Sequence, residues 1–227
     1  MQASPTSTNA HPDQSALMQL GAAVRARLGS DRFVQRIPTD KAEIYGVNRF
    51  LRPEECGALI AMIDRVARPS PVFDGDVQSR FRTSFTGDVD RSNPLVHTIE
   101  ARIDALLGLP NAWGETLQGQ RYQPGQEFQG HHDWFHIDQP YWPEQAKVGG
   151  QRSWTAMIYL NDVADGGATA FPNIGLNVPP QRGALLLWNN ARPDGLPNID
   201  TLHAGMPVIR GTKYIVTKWY RSRVWGY

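Results

Sequence analysis

Apolar residues recur at helical spacing in three segments of the first half of the chain. From Asp13 onward, Leu17, Leu20, Val24 and Leu28 share one face, and Gly29 supplies a stop. Pro53 opens a second helix, in which Cys56, Leu59, Ile60, Ile63 and Val66 form a single stripe. Asn93-Pro94 opens a third, with Val96, Ile99, Ile103 and Leu106 on one side and Gly108 near its end. Between the first two, residues 33–50 read as extended, with Ile37, Ile44, Tyr45 and Val47 as strand residues.

After Ala112 the pattern changes. Short segments rich in β-branched and aromatic residues alternate with Gly/Pro turns at 118–122, 130–137, 154–161, 169–171, 183–188, 206–209 and 214–222. They predict an antiparallel β core. Helices first and strands afterwards give an α+β layout, with helical support over 13–112 and a β core over 113–227 in one domain. Residues 1–12 are Ser/Thr/Pro-rich, nearly devoid of large apolar side chains, and are expected to form a disordered tail. Segments 138–153 and 189–200 fit no regular element, and long irregular loops in a domain of this size often carry function.

Bulk properties narrow the choices. A chain of 227 residues suffices for one sizeable core. A net charge of +1 offers no global attraction to nucleic acid or an anionic membrane. One cysteine, Cys56, excludes an internal disulfide framework and a cysteine-rich metal site, and its place in a helical stripe reads as a buried thiol. No basic stretch precedes an apolar run near the amino terminus, and no apolar run reaches spanning length, so a cytoplasmic protein is expected.

Chemistry concentrates in the β half. Along an extended strand, His131 and Asp133 point to one face while His132 and Trp134 point to the other. His203, from a second strand, could complete a two-histidine, one-carboxylate site, the donor set of an iron(II) ion that keeps positions open for cosubstrate and oxygen. Lys213 follows ten residues later, where its ammonium could hold the far carboxylate of a dicarboxylic cosubstrate. Of the other histidines, His11 lies in the expected tail, His97 on a helix, and His136 has the wrong strand parity for a ligand.

Four segments carry a resemblance: RYQPGQEFQGHHDWF (121–135), GGQRSWTAMIYLND (149–162), GGATAFP (166–172) and LHAGMPVIRGTKYIVTKW (202–219). In this order and spacing the chain resembles the prolyl 4-hydroxylase family of iron(II)- and 2-oxoglutarate-dependent dioxygenases, over roughly residues 44–223. The resemblance implies a double-stranded β-helix (jelly-roll) core braced by the amino-terminal helices. It implies His131, Asp133 and His203 as iron ligands and Lys213 as the partner of the 2-oxoglutarate C5 carboxylate. Tyr122 and Tyr159 fall where the family has tyrosines, and Thr155, on the face of Tyr159, is a weaker cosubstrate candidate. Trp219 matches a family aromatic near the site. Met206 and Tyr214 stand where cysteine and tryptophan are common in the family.

The implied reaction consumes O2 and 2-oxoglutarate, releases succinate and CO2, and takes ascorbate as a candidate reductant. A peptide or protein prolyl substrate is expected. Segments 78–87 and 137–144 would flank it, with Arg80 and Arg82 bonding its backbone and Trp134, Tyr141 and Trp142 stacking on proline rings. The basic stretch Arg210, Lys213, Lys218, Arg221 and Arg223 reads as a solvated face plus one cosubstrate anchor rather than a nucleic-acid surface. Two rival readings remain. One is hydroxylation of another residue, a free amino acid or a small molecule on the same scaffold; the other is a non-catalytic β-helix binding module. Oligomeric state is not legible.

Overall fold

A computed structural model of the chain describes residues 11–70 and 81–226. Three long helices form where the apolar spacing predicts them: α1 (Gln14–Ser30), α2 (Pro53–Val66) and α3 (Pro94–Leu107). Their ends have local causes. Pro53 occupies the first turn of α2, and the Glu55 carboxylate reaches back to accept from the Arg52 N–H at 2.9 Å. Asn93 caps α3 by accepting from the Leu95 N–H at 2.9 Å, and Gly108 ends it at φ 69°, a conformation that costs other residues a steric clash. A short fourth helix, α4 (Trp142–Lys147), lies inside the segment that had fitted no regular element.

The strands, in chain order, are β1 (Gln35–Arg36), β2 (Ile44–Val47), β3 (Arg68–Pro69), β4 (Phe85–Asp88), β5 (Gln118–Tyr122), β6 (Phe128–His131) and β7 (Arg152–Tyr159). They continue with β8 (Asp165–Gly166), β9 (Thr169–Phe171), β10 (Leu176–Val178), β11 (Leu185–Asn189), β12 (His203–Gly205), β13 (Val208–Arg210) and β14 (Lys213–Arg221). The major sheet runs β1-β2-β11-β7-β14-β5-β4-β3 and the minor sheet β10-β9-β12-β6, all antiparallel, with β13-β8 as a small pair. The two facing sheets make the double-stranded β-helix. The division at residue 112 is not clean, because the amino-terminal half contributes β2 beside β11 and β4 beside β5.

Strand alternation sorts the side chains of the major sheet. Trp154, Ala156 and Ile158 of β7 and Val216 and Tyr220 of β14 pack under the helices with Leu59, Ile63, Ile99 and Ile103. Met157 and Tyr159 of β7 and Ile215 of β14 face inward, with Tyr122, Phe171 and Trp188. Gly119 lets α2 lie close on β5, since a Cβ there would come within 2.4 Å of Ile63. Cys56 is buried in the helical layer, and burial pushes its thiol pKa up.

Several expectations need correction. Residues 1–10 of the expected tail lie outside the described residues, but His11 is buried and bonded to Gln151, so the packed structure starts earlier than residue 13. The strand expected over 130–137 stops at His131, where β6 pairs with His203 of β12 and the chain then bends away. The expected solvated face of β14 is not solvated. Lys218 is fully buried between Glu100 (3.1 Å) and Asp104 (3.2 Å) of α3, and buried Arg221 pairs with Glu115 at 2.6 Å.

Candidate active site

Three donors meet between the two sheets. His131 ends β6, His203 begins β12 as its direct antiparallel partner, and Asp133 sits two residues past the strand end, on the bend. One donor atom from each lies within 4.8 Å of the others. The bend, rather than strand parity, aims Asp133 at the histidines. Its carboxylate stands 4.0 Å from His131 Nε2 and 3.8 Å from His203 Nε2. Each imidazole is oriented from behind. His131 Nδ1 contacts the Gln129 carbonyl at 2.8 Å and His203 Nδ1 the Thr201 carbonyl at 3.0 Å, which leaves both Nε2 atoms turned to the centre.

The environment suits a neutral His131 imidazole and a charged carboxylate. Burial, with His203 beside it, brings the His131 pKa down to about 3. Burial by itself would raise the Asp133 carboxyl. The His203 and His131 imidazoles, Arg152 and a bond from Thr155 reverse that and bring it below the usual range. Thr155 Oγ1 donates to Asp133 Oδ2 at 2.7 Å and accepts from Asn190 Nδ2 at 2.9 Å. The sequence made Thr155 a cosubstrate candidate; in the structure it braces Asp133 and does not line the cavity behind the triad.

Behind the triad is a small cavity of about 40 Å³ whose walls include Gln120, Tyr122, Thr169, Trp188, Lys213 and Thr217. Lys213 is 1 % exposed, and its ammonium has no hydrogen bond or ion pair among the described residues. Its neighbours are the rings of Tyr122 (5.2 Å) and Tyr159 (5.6 Å). Burial brings its pKa down to about 7. An unpaired buried ammonium at the wall of a cavity calls for an anion. Tyr122 lines the cavity, its hydroxyl donating to Gln120 Oε1 at 2.7 Å. The Tyr159 hydroxyl instead donates to Thr169 Oγ1 at 2.7 Å, so that residue flanks Lys213 without lining the cavity.

In front of the triad a groove of about 370 Å³ opens to solvent past the exposed Gly130 and His136. Arg82, Phe128, Trp134, Tyr141, Arg152 and Trp219 are among its walls. Arg82 bonds Ser84 (3.2 Å) and Thr86 (2.9 Å) and lies over the Phe128 ring at 4.6 Å. From Thr83 the expected substrate-side loop is held in the fold, first by Glu127 and then as β4. Arg80 lies outside the described residues. Trp142 stands away from the groove, edge-on to His11 at 5.6 Å.

A sequence model of the 2OG-Fe(II) oxygenase superfamily matches residues 117–221, which span the triad and Lys213. Prolyl 4-hydroxylase 5 of Arabidopsis thaliana is 38 % identical over 216 residues, covering 84 % of this chain and 72 % of that protein. The chain belongs to the prolyl 4-hydroxylase family. A viral collagen prolyl hydroxylase from Paramecium bursaria Chlorella virus-1, solved with 2-oxoglutarate, superposes with TM-score 0.61 at 27 % identity, covering 78 % of this chain and 94 % of that one. A Trichoplax adhaerens prolyl hydroxylase solved with a peptide shares the fold, with TM-score 0.62 at 16 % identity, covering 95 % and 94 % of the two chains.

Membership makes the protein an iron(II)- and 2-oxoglutarate-dependent dioxygenase that uses O2. The residues present fit those groups. Two imidazoles and a carboxylate suit iron(II), and the unpaired Lys213 ammonium suits the far carboxylate of 2-oxoglutarate. Gln120, Thr169 and Thr217 had not been singled out from the sequence. Parity held the signal: Gln120 lies two residues from Tyr122, and Thr217 alternates with Lys213 and Trp219. No helix among the described residues is long and apolar enough to cross a membrane.

Proposed function

We propose that this enzyme hydroxylates prolyl residues of a peptide or protein that lies across the groove above His131 and Asp133. The open form of the groove carries the reading: it reaches solvent past Gly130 and His136, as an extended chain requires, whereas a small molecule would favour a closed pocket. Its walls suit the substrate. Trp134, Tyr141 and Phe128 offer flat apolar faces for pyrrolidine rings, and Arg82 brings a guanidinium to the same wall for backbone carbonyls. The Arabidopsis relatives are named as prolyl 4-hydroxylases, and the Trichoplax protein binds a peptide of hypoxia inducible factor.

In this reading His131, Asp133 and His203 hold the iron, and Lys213 with Tyr122 holds 2-oxoglutarate in the cavity behind it. The bound iron and cosubstrate supply an oxidant for an unactivated C–H bond, with release of succinate and CO2. The protein's part is to orient. Thr155 keeps Asp133 charged and aimed, Arg82 packs Phe128 against the His131 ring at 3.6 Å, and the buried cavity keeps water from the cosubstrate. We read residues 11–226 as one catalytic domain, since the helices and the major sheet share a core. With its one cysteine free and buried, the chain has no need of an oxidising compartment, and we assign it to the cytoplasm.

The test is turnover of a library of proline-containing peptides with iron(II), 2-oxoglutarate and O2. Succinate release and mass spectrometry are read together. A peptide that gains one oxygen atom on a prolyl ring in step with succinate is the expected result. Oxygen gained only on other residues, or only on free amino acids, would overturn the substrate assignment while leaving the dioxygenase intact.

A further inference from the structure

After His131 the chain leaves the minor sheet, yet it must hold Asp133 and then build the groove wall with Trp134, Phe135, His136 and Tyr141. No strand pairs with this segment among the described residues. A side chain takes that place. The Gln151 carboxamide accepts from the Phe135 N–H at 2.7 Å and donates to the Phe135 carbonyl at 2.8 Å. It offers one donor and one acceptor at the spacing of a peptide group, so it imitates a neighbouring strand for one residue.

The carboxamide is itself locked. Phe135 fixes which end is oxygen and which is nitrogen, so Gln151 Nε2 points an N–H at His11 Nε2, 3.1 Å away; the Asp13 N–H lies 3.2 Å from His11 Nδ1, and since a neutral ring accepts at only one nitrogen, the Gln151 contact assigns the acceptor to Nε2. Gln151 Oε1 also accepts from the Arg152 N–H at 2.9 Å. The Gln151 backbone N–H donates to Asp13 Oδ2 at 2.7 Å, and that buried carboxylate takes Ser222 Oγ at 2.9 Å and Arg223 Nη1 at 2.6 Å. Gln151 is 1 % exposed and His11 6 %. The amino-terminal segment thus reaches across the barrel end to the groove wall. On the far side of Phe135, its ring lies beneath Arg152 and Arg221 (4.9 and 4.7 Å) and meets Tyr141 edge-on at 5.9 Å.

We propose that Gln151 is a positioning residue for the groove wall 133–141, and that the His11–Asp13 segment is the lock that keeps its carboxamide on Phe135. The proposal deepens the peptide-hydroxylase reading and, for its effect on substrate, rests on it. Asp133 has its own anchor in Thr155, and Lys213 lies deep on β14, so cosubstrate binding is independent of this clamp. Loosening Phe135 should therefore raise the KM for peptide and leave the KM for 2-oxoglutarate in place.

The experiment compares Gln151→Met, His11→Ala and His11→Gln with the unsubstituted enzyme. Gln151→Met keeps the shape and removes both Phe135 bonds, and should raise the peptide KM on the order of tenfold, the worth of a net hydrogen bond or two. kcat at saturating peptide and the 2-oxoglutarate KM should stay within about twofold, and amide exchange over residues 132–137 should quicken. His11→Ala, which leaves Gln151 intact, should move both readouts the same way by less. His11→Gln restores an acceptor and should return both to the starting values.

An unchanged peptide KM with unchanged exchange in Gln151→Met would overturn the proposal. So would equal losses in peptide and 2-oxoglutarate KM, which would mark a general structural role. If the unsubstituted enzyme hydroxylates no peptide, the substrate reading falls by itself. The exchange pattern of the three variants then decides the positioning role.

Discussion

Lys213 should make 2-oxoglutarate binding fall with pH. In the free enzyme Lys213 is 1 % exposed, its ammonium faces two tyrosine rings, and burial holds its pKa near 7 against the ordinary lysine value of 10.5. A bound carboxylate favours the charged form and draws a proton onto the amine whenever solution pH lies above that value. Each pH unit above 7 should then weaken binding about tenfold, or ~1.4 kcal/mol, so that pH 9 costs about a hundredfold relative to pH 7. The linkage has a second face. Between about 7 and 10.5 the unfolded chain holds a proton that the free folded enzyme lacks, so the stability contributed at this site rises with pH through that window.

The assay is anaerobic calorimetry of 2-oxoglutarate binding from pH 6.5 to 9, with manganese(II) saturating the metal site. Two buffers of different ionisation heat count protons. Uptake should approach one proton per ligand at pH 8–9 and fall to about a quarter of a proton at pH 6.5. Lys213→Met should bind roughly ten- to a hundredfold more weakly at pH 6.5, the worth of one charge-assisted bond, and should lose the slope. A dissociation constant that stays flat to pH 9 without proton uptake would refute the reasoning and remove Lys213 from the cosubstrate site.

Asp133→Ala should abolish succinate release while chemical denaturation stays nearly unchanged, since the residue sits at the barrel mouth outside the apolar core. Thr155→Val keeps the shape but removes the bond to Asp133 Oδ2, and should weaken metal binding about ten- to a hundredfold in a cobalt(II) titration. Arg82→Ala should depress peptide hydroxylation far more than uncoupled decarboxylation of 2-oxoglutarate, measured side by side, because Arg82 packs the groove wall and bonds no metal ligand. Lys218→Met leaves Glu100 and Asp104 facing each other without their buried cation, and should lower unfolding stability by roughly 3–5 kcal/mol in urea titration.

The sequence by itself determined the parts whose cause is local. Apolar period and caps located α1, α2 and α3, because a helix is closed by neighbours three and four residues away. Alternation and turn residues located β5 and β9 to the residue. The spacing of His131, Asp133, His203 and Lys213 named the chemistry. Tertiary structure decided what depends on partners distant in the chain. β12 is only His203–Gly205, too short for any period, and exists because β6 and β9 lie on either side of it. β4 and β2 joined the major sheet from the helical half because β5 and β11 had open edges there. Lys218, of opposite strand parity to Lys213, reads in sequence as a solvated lysine, yet it is buried against two carboxylates of α3, while Lys213 faces the cavity behind the triad. Thr155 turned from cosubstrate candidate to the support of Asp133, and His11 from tail to lock, for the same reason. Burial and pairing are properties of a place, and the place is made by residues the local pattern does not contain.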